Sequence, residues 1–160
     1  SFIRQKGGQF EKDPLADSYM TEITSRRFSA DGTEKFSLSS PRIEFFEGSS
    51  VLTIAEPLFL TQRPQGKPLI LQADQGQLNS ALGLLDLDGN VRADINSRGD
   101  LSVLSTEHLT YLIDSNIAKT GSSFKLLAPQ SNISGTGLRV DLLKETFIIK
   151  SKVRVTHEPI

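Results

Sequence analysis

Beyond Asp17, the apolar and polar residues of the chain alternate with a period of two. Such alternation is typical of β-strands that have one buried face and one wet face. It is clearest near the C-terminus, where the apolar positions are Leu138, Val140, Leu142, Phe147, Ile149, Val153 and Val155. No segment shows a helical repeat longer than about two turns, so the pattern predicts an all-β fold.

Turn-forming residues interrupt this alternation at short intervals. They are Asp31-Gly32, Glu47-Gly48, Gln65-Gly66, Asp88-Gly89-Asn90, Arg98-Gly99-Asp100, Asp114-Ser115-Asn116 and Gly121-Ser122. Short strands separated by turns every eight to twelve residues or so, about the spacing seen here, are typical of β-sandwiches and barrels. We therefore expect many short antiparallel strands.

Four similar hairpin units can be laid over one another along the chain. Each begins at an apolar anchor and returns on a second apolar residue. The anchors are Ile43, Leu78, Leu109 and Leu138, and the returns are Leu58, Val91, Phe124 and Val153. Units this short cannot bury an apolar face alone, so they must stack on a shared core. The expected architecture is an elongated stack of antiparallel strands with two open ends, where edge strands keep unpaired backbone groups.

Length and composition fit one globular domain, because the chain has 160 residues, of which 37% are hydrophobic and 23% charged. Residues 1–15 are polar and contain Gly7, Gly8 and Pro14, so they are predicted to form a linker, and residues 16–160 the folded domain. The formal net charge of −1 provides no basic field for DNA or RNA. Without cysteine, the chain has no disulfide, thiolate metal site or Cys nucleophile.

Sequence motifs of catalysis are missing. The chain contains no GxxxxGKS/T phosphate loop, no HExxH, no GxSxG and no CxxC. Its two histidines, His108 and His157, are far apart in sequence. We therefore predict a protein that is not an enzyme and that holds no metal and no cofactor.

Several segments carry a resemblance to a known family. They are DSYM at 17–20, RFSADG at 27–32 with FSL at 36–38, VLTIAEPLFL at 51–60, LQADQG at 71–76 followed by DGNV at 88–91, and SGTGLRVD at 134–141 with KSKVRV at 150–155. In this order, over about 17–159, they resemble the LptC family, the periplasmic C component of the lipopolysaccharide-transport machinery.

The resemblance implies a fold and a set of partners. It implies a β-jellyroll of two antiparallel sheets open at both ends, built from the repeat shared with LptA and OstA proteins. It also implies a periplasmic location, with an N-terminal membrane helix that precedes residues 1–15 and anchors the protein to the inner membrane. The N-terminal edge is expected to contact the inner-membrane lipopolysaccharide ABC transporter, and the C-terminal edge an LptA-like periplasmic bridge protein.

Candidate lipid-contacting residues follow from the family's motifs. The resemblance places lipopolysaccharide contacts at Thr24, Ile54, Phe147 and His157. Residues of the same parity near the C-terminus extend this set, because alternate residues of a strand share a face. The full predicted set is Thr24, Ile54, Phe147, Ile149, Val153, Val155 and His157.

The last strand is the predicted partner edge, because the few residues after it cannot cover it. The edge comprises Lys152, Val153, Arg154, Val155 and Thr156. Its outer backbone groups are expected to pair with a strand of the bridge protein, as in β-augmentation.

Two other functions stay open. The chain could carry a different amphiphile, such as a phospholipid, or it could be a structural adaptor that joins bridge proteins through its strand edges. The interior separates a carrier from an adaptor: an apolar groove can bury acyl chains at about 0.8 kcal/mol per CH2, whereas a filled core cannot.

Overall fold

All regular elements of the protein are β-strands in the computed structural model, which describes residues 3–5, 18–29, 32–62, 68–97 and 99–157, and the side chains of 36–61, 68–96 and 99–157. The strands are β1 (Ile3–Gln5), β2 (Ser18–Ser29), β3 (Gly32–Phe45), β4 (Val51–Ala55), β5 (Leu58–Gln62), β6 (Leu69–Gln72), β7 (Gln75–Asn79), β8 (Leu84–Ser97), β9 (Asp100–Leu112), β10 (Ile117–Ala128), β11 (Ser131–Asp141) and β12 (Thr146–His157). The all-β prediction is confirmed. Within the described part of the chain, no helix could span a membrane.

Neighbouring strands are antiparallel, in the order β1-β2-β3-β4-β7-β8-β9-β10-β11-β12. The strands β5 and β6 pair with each other and form a second connection between β3 and β8, beside the connection through β4 and β7. This branching arises because β4 and β5 are two halves of one strand, interrupted at Glu56 and Pro57, and β6 and β7 are two halves of another, interrupted at Ala73 and Asp74.

The sheet is folded over so that each long strand contributes to two layers. In β3, residues 35–39 pair with β5, whereas residues 42–45 pair with β4. Layer 1 contains β5, β6 and the strand halves in register with them, and layer 2 contains β4, β7 and the remaining halves. The rings of Phe59 in layer 1 and Tyr111 in layer 2 lie 5.4 Å apart, so the two inner faces meet. This arrangement is a β-jellyroll, as predicted.

The line where the strands pass from one layer to the other is here called the seam. Left-handed backbone conformations occur on it at Glu56, Gly89, Asn90, Gly137 and Lys152, with φ between 45° and 84°. The register of β8, β10, β11 and β12 against their neighbours also shifts at the seam. Such bulges bend a strand and leave backbone groups outside the regular ladder.

Hydrogen bonds at the seam replace the interrupted ladder in its first half. The N–H of Glu56 donates to the carbonyl of Asp74, and the N–H of Asp74 donates to the carbonyl of Gly89, each at 2.8 Å. The hydroxyl of Ser40 bonds the carbonyl of Ala55. The side-chain amide of Asn90 donates to Asp74 Oδ2 at 2.8 Å. Backbone groups of Glu56, Asp74 and Gly89 at the bend therefore keep hydrogen-bond partners.

Hydroxyl groups continue the seam toward the C-terminus. Thr106 Oγ1 donates to the carbonyl of Ser123 at 2.9 Å, and the N–H of Ser122 donates to Thr120 Oγ1 at 3.1 Å. Ser123 Oγ lies 3.4 Å from Thr136 Oγ1. Ser40, Thr106 and Thr120 are buried despite being polar, which is consistent with this role.

Two of the predicted turns are wrong. Residues 88–90 lie inside β8, and residues 121–122 lie inside β10. Glycine and asparagine occur there because a strand that bends at the seam needs the same unusual backbone conformations as a turn. By contrast, residues 47–48 and 114–116 form turns between strands, as predicted.

The repeat anchors form part of the core. Ile43, Leu78, Leu109 and Leu138 are all buried, as are the returns at Val91 and Phe124. Of the other two returns, Val153 is 49% exposed and Leu58 is 42% exposed, so these two lie outside the core. The break at Glu56 and Pro57 shifts the inward parity, and Phe59 takes the buried position instead.

The N-terminal segment is described only in part. Residues 3–5 of the predicted linker form β1, which pairs with residues 23–25 of β2. The remainder of the predicted linker, and its boundary with the folded domain at residue 16, lie outside the described residues.

Gly137 is the position at which we expect the seam to be most sensitive to a side chain. Its φ is 80°, and an added Cβ would lie 2.9 Å from Cβ of Lys150. Gly137→Ala should therefore lower the free energy of unfolding by about 1–2 kcal/mol, measured by chemical denaturation. Gly121→Ala is the matched control, since nothing lies within 4 Å of its added Cβ. Equal effects of the two substitutions would contradict this account of the seam.

Candidate functional site

The C-terminal edge of the sheet is formed by β12, which pairs with β11 along one side. None of the described strands pairs with its other side. Side chains along β12 are exposed from Thr146 to His157, except Ile149, which is partly buried against the core. This strand is thus an open edge with free backbone groups, the kind of edge that proteins must either protect or use for a partner.

Apolar side chains of β12 continue the core of the domain. In the antiparallel register, Phe147 lies opposite Val140 and Ile149 lies opposite Leu138. Directly opposed residues share a face of the sheet, and Val140 and Leu138 are each only 1% exposed. The inner face of β12 therefore belongs to the same surface as the buried core.

The bulge at the seam keeps this face continuous along the strand. Three residue steps from Ser151 to Arg154 match two steps from Thr136 to Ser134 on β11, so β12 has one extra residue there. Beyond the bulge, Val155 lies opposite Ile133, which packs against the core. The inner face of β12 consequently presents Phe147, Ile149, Val153 and Val155, here called the apolar row.

The apolar row is left uncovered by the described chain. Phe147 is 40% exposed, and Val153 and Val155 are each 49% exposed. A contiguous apolar surface of this kind on an edge commonly marks a binding site. His157 lies opposite Ser131 at the end of the same face and is also exposed.

Two of the predicted contact residues lie elsewhere. Ile54 is on β4, opposite Ile43 and Gly76, and is 1% exposed within the core. Thr24 is on β2, where its backbone pairs with Ser37. The structure thus brings together five of the predicted residues on β12 but separates the other two from them by several strands.

Large side chains fill the space between the layers in the described core. The Phe36 and Phe59 rings are 5.2 Å apart, and Phe59 also contacts Tyr111. The Tyr111 hydroxyl donates to Asn116 Oδ1 at 2.9 Å. Leu38, Leu71 and Leu87 have no exposed surface. Among the described side chains of the inner face, Phe147, Val153 and Val155 of the apolar row are exposed.

The outer face of β12 is basic. Lys152 and Arg154 line a surface depression of about 580 Å³ on the outside of the sheet, together with Arg92, Glu107 and Lys125. The strand contains no acidic residue. One face of the edge is therefore apolar and the other is positively charged.

Sequence reasoning missed Ile133 as a neighbour of the apolar row. Inward residues of β11 are even-numbered at Leu138 and Val140 but odd-numbered at Ile133, because Gly137 shifts the parity. The signal for this shift was present in Gly135-Thr-Gly137. Simple period-two counting across a bulge cannot detect it.

Metal chemistry is not indicated by the side chains that the structure describes, since they include no group of three or more potential metal ligands. His108 Nδ1 lies 2.6 Å from Asp88 Oδ1 on the outer face of β8 and β9. His108 Nε2 is 4.0 Å from Asp86 Oδ1. These contacts are surface pairs across neighbouring strands.

Comparisons with known proteins give a family match and a match to a solved structure. A family profile described as "Lipopolysaccharide-assembly, LptC-related" matches residues 8–158. Among solved structures, the chain is similar to LptH from Pseudomonas aeruginosa, the LptA homologous periplasmic component of the conserved lipopolysaccharide transport device. That match has a TM-score of 0.63 and 8% sequence identity, and it covers 78% of this chain and 95% of LptH. At this identity it shows the shared fold. A search of curated proteins gives no match.

Two valines provide a test of whether the apolar row is uncovered. Val140 and Val155 lie on the same inner surface, but Val140 is 1% exposed and Val155 is 49% exposed. Val140→Ala should lower the free energy of unfolding by about 2 kcal/mol, whereas Val155→Ala should lower it by less than about 1 kcal/mol. Thermal and chemical denaturation measure both. If Val155→Ala costs as much as Val140→Ala, the apolar row is covered in the isolated domain.

Proposed function

The chain belongs to the LptC family, and from this membership and the open C-terminal edge we propose that it binds lipopolysaccharide at the apolar row and passes it to the next protein of the transport bridge. The family match over residues 8–158 makes the chain a non-enzymatic component of lipopolysaccharide transport in the periplasm of Gram-negative bacteria. The ligand contacts and the direction of transfer are our proposal.

The observation that carries the proposal is the uncovered apolar row. Phe147, Val153 and Val155 share the inner surface with the buried core yet remain 40–49% exposed. Acyl chains of lipid A would cover this surface, and each buried CH2 contributes about 0.8 kcal/mol. Binding here needs no rearrangement of the core.

Entry of acyl chains farther between the layers requires those layers to separate. Ile54 is buried, and the contacting rings of Phe59 and Tyr111 occupy the space between the layers. We propose that lipopolysaccharide binds first at the C-terminal end and reaches Ile54 only when the layers move apart.

Transfer between proteins requires successive binding sites of similar affinity. A single dry groove would hold several acyl chains too tightly to release them. A chain of related β-jellyrolls would let lipopolysaccharide pass with little change in free energy. Because the sequence has no nucleotide-binding motif, a separate ATPase would supply the work.

Partners would bind at the two edges of the sheet. We propose that the N-terminal edge contacts the inner-membrane lipopolysaccharide ABC transporter and that an N-terminal helix anchors the protein to that membrane. At the other edge, residues 152–156 of β12 would pair with an LptA-like bridge protein, continuing the sheet by β-augmentation. The free outer side of β12 supports this assignment.

A structural adaptor is the second candidate function, and the filled core favours it. If the layers never separate, the apolar row serves only as a protein interface. In that case, a bridge protein would cover Phe147, Val153 and Val155, and lipopolysaccharide would be carried by other components.

Photo-cross-linking at two adjacent residues distinguishes these functions. Phe147 faces inward and is 40% exposed, whereas its neighbour Ile148 faces outward and is 58% exposed. A photo-reactive residue at Phe147 should cross-link lipopolysaccharide several-fold more than one at Ile148, although Ile148 is the more accessible. Similar labelling of the two positions would contradict binding at the inner face, and phospholipid tested alongside would reveal another amphiphile.

Proline substitutions test pairing through the outer edge of β12. Consecutive residues of a strand direct their N–H groups to opposite edges of that strand. One of the substitutions Val155→Pro and Thr156→Pro therefore removes a donor on the free edge of β12, and the other removes a donor that faces β11. The substitution on the free edge should abolish binding to the bridge protein while the domain stays folded. Circular dichroism verifies folding, and surface plasmon resonance measures binding. If both folded variants bind as the parent does, the bridge is not built through this edge.

A further inference from the structure

Charge is distributed unevenly along the order of the strands. Residues 68–116, which contain β6 to β9, have two Lys and Arg against seven Asp and Glu. Residues 117–157, which contain β10 to β12, have seven Lys and Arg against two Asp and Glu. The formal net charge of −1 therefore conceals a change of sign toward the C-terminal edge.

The positive charges of β12 are not neutralised by the described part of the chain. Lys150, Lys152 and Arg154 form no ion pair with any described residue. Two described arginines on other strands do form such pairs: Arg92 Nε lies 2.8 Å from Asp94 Oδ1, and Arg42 Nε lies 2.6 Å from Glu44 Oε1. Unpaired charge on an open edge prevents unselective strand association, and it also attracts a partner of opposite charge.

Strand pairing at this edge would impose a pattern on the partner. Side chains on directly opposed strands come within about 4.5–5.5 Å, where opposite charges stabilise and like charges destabilise the pair. On β12, Phe147, Val153 and Val155 form the inner face, and Lys152 and Arg154 lie on the outer face. A matching strand needs apolar residues inside and carboxylates outside.

We propose that the C-terminal edge selects a partner strand in which apolar and acidic residues alternate. This inference rests on the proposed function, because it assumes that the bridge protein pairs with β12, and it specifies the chemistry of that protein's edge strand. The β12 strand of a second copy does not fit, since two β12 strands paired antiparallel would bring their lysines and arginine onto the same face.

Charge reversal tests this pattern. The edge variant is Lys152→Glu with Arg154→Glu, and its matched control is Lys119→Glu with Arg139→Glu, a facing pair on β10 and β11 that lies outside the depression lined by Lys152 and Arg154. Lys119 and Arg139 are also exposed, and the two variants change the net charge by the same amount. Binding of the LptA-like bridge protein is measured by surface plasmon resonance at 50 and 300 mM NaCl, and circular dichroism confirms that each variant folds.

The edge variant should reduce the association rate constant at low salt by about tenfold or more, and the control by less than about threefold. High salt should remove most of the difference. Rates unchanged in the edge variant, or lowered equally in both, would overturn the acidic-partner inference. If the rates are unchanged while the proline substitution on the free edge of β12 still abolishes binding, pairing through β12 stands and only the charge pattern fails. If neither affects binding, both proposals fail.

Discussion

The long strands bend where they pass between the layers, which interrupts the hydrogen-bond ladder, and the two-layer fold depends on giving the released backbone groups new partners. The hydroxyls of Ser40, Thr106 and Thr120 and the backbone of Asp74 provide these partners along the seam. A buried backbone group without a partner costs about 1–3 kcal/mol, so a few such losses would be comparable to the stability of a whole domain. The seam lets a single folded sheet enclose its own core.

The candidate site is the place where this architecture stops. Each strand from β3 to β11 has a neighbour on both sides, whereas β12 has one. Its inner side chains are therefore apolar like those of the core but are left exposed. Its backbone groups along one edge have no partner strand in the described part of the chain. The proposed lipid binding and the proposed strand pairing both follow from this one incomplete edge, and neither requires catalytic residues.

Much of this could be predicted from the sequence, because period-two alternation reports directly which face of a strand is buried. The anchors Leu78 and Leu109 are buried, and Phe147 and Val155 share a face, as expected. The bends could not be predicted, because glycine is typical of both bulges and turns, and Gly89 lies at a bulge. Nor could the separation of Ile54 from the apolar row be predicted, since it depends on the strand order, which places β7 to β11 between β4 and β12.

The seam also reaches the edge strand, where Lys152 has a φ of 54° and the register shifts by one residue. A rigid, straight strand can follow β12 only on one side of that corner, over about half of its length. Full pairing is reserved for a strand that turns the same corner. The bend thus restricts which strands can pair along the whole edge. A strand of the same folded architecture can do so, whereas an extended, amyloid-like segment finds no continuous template for growth.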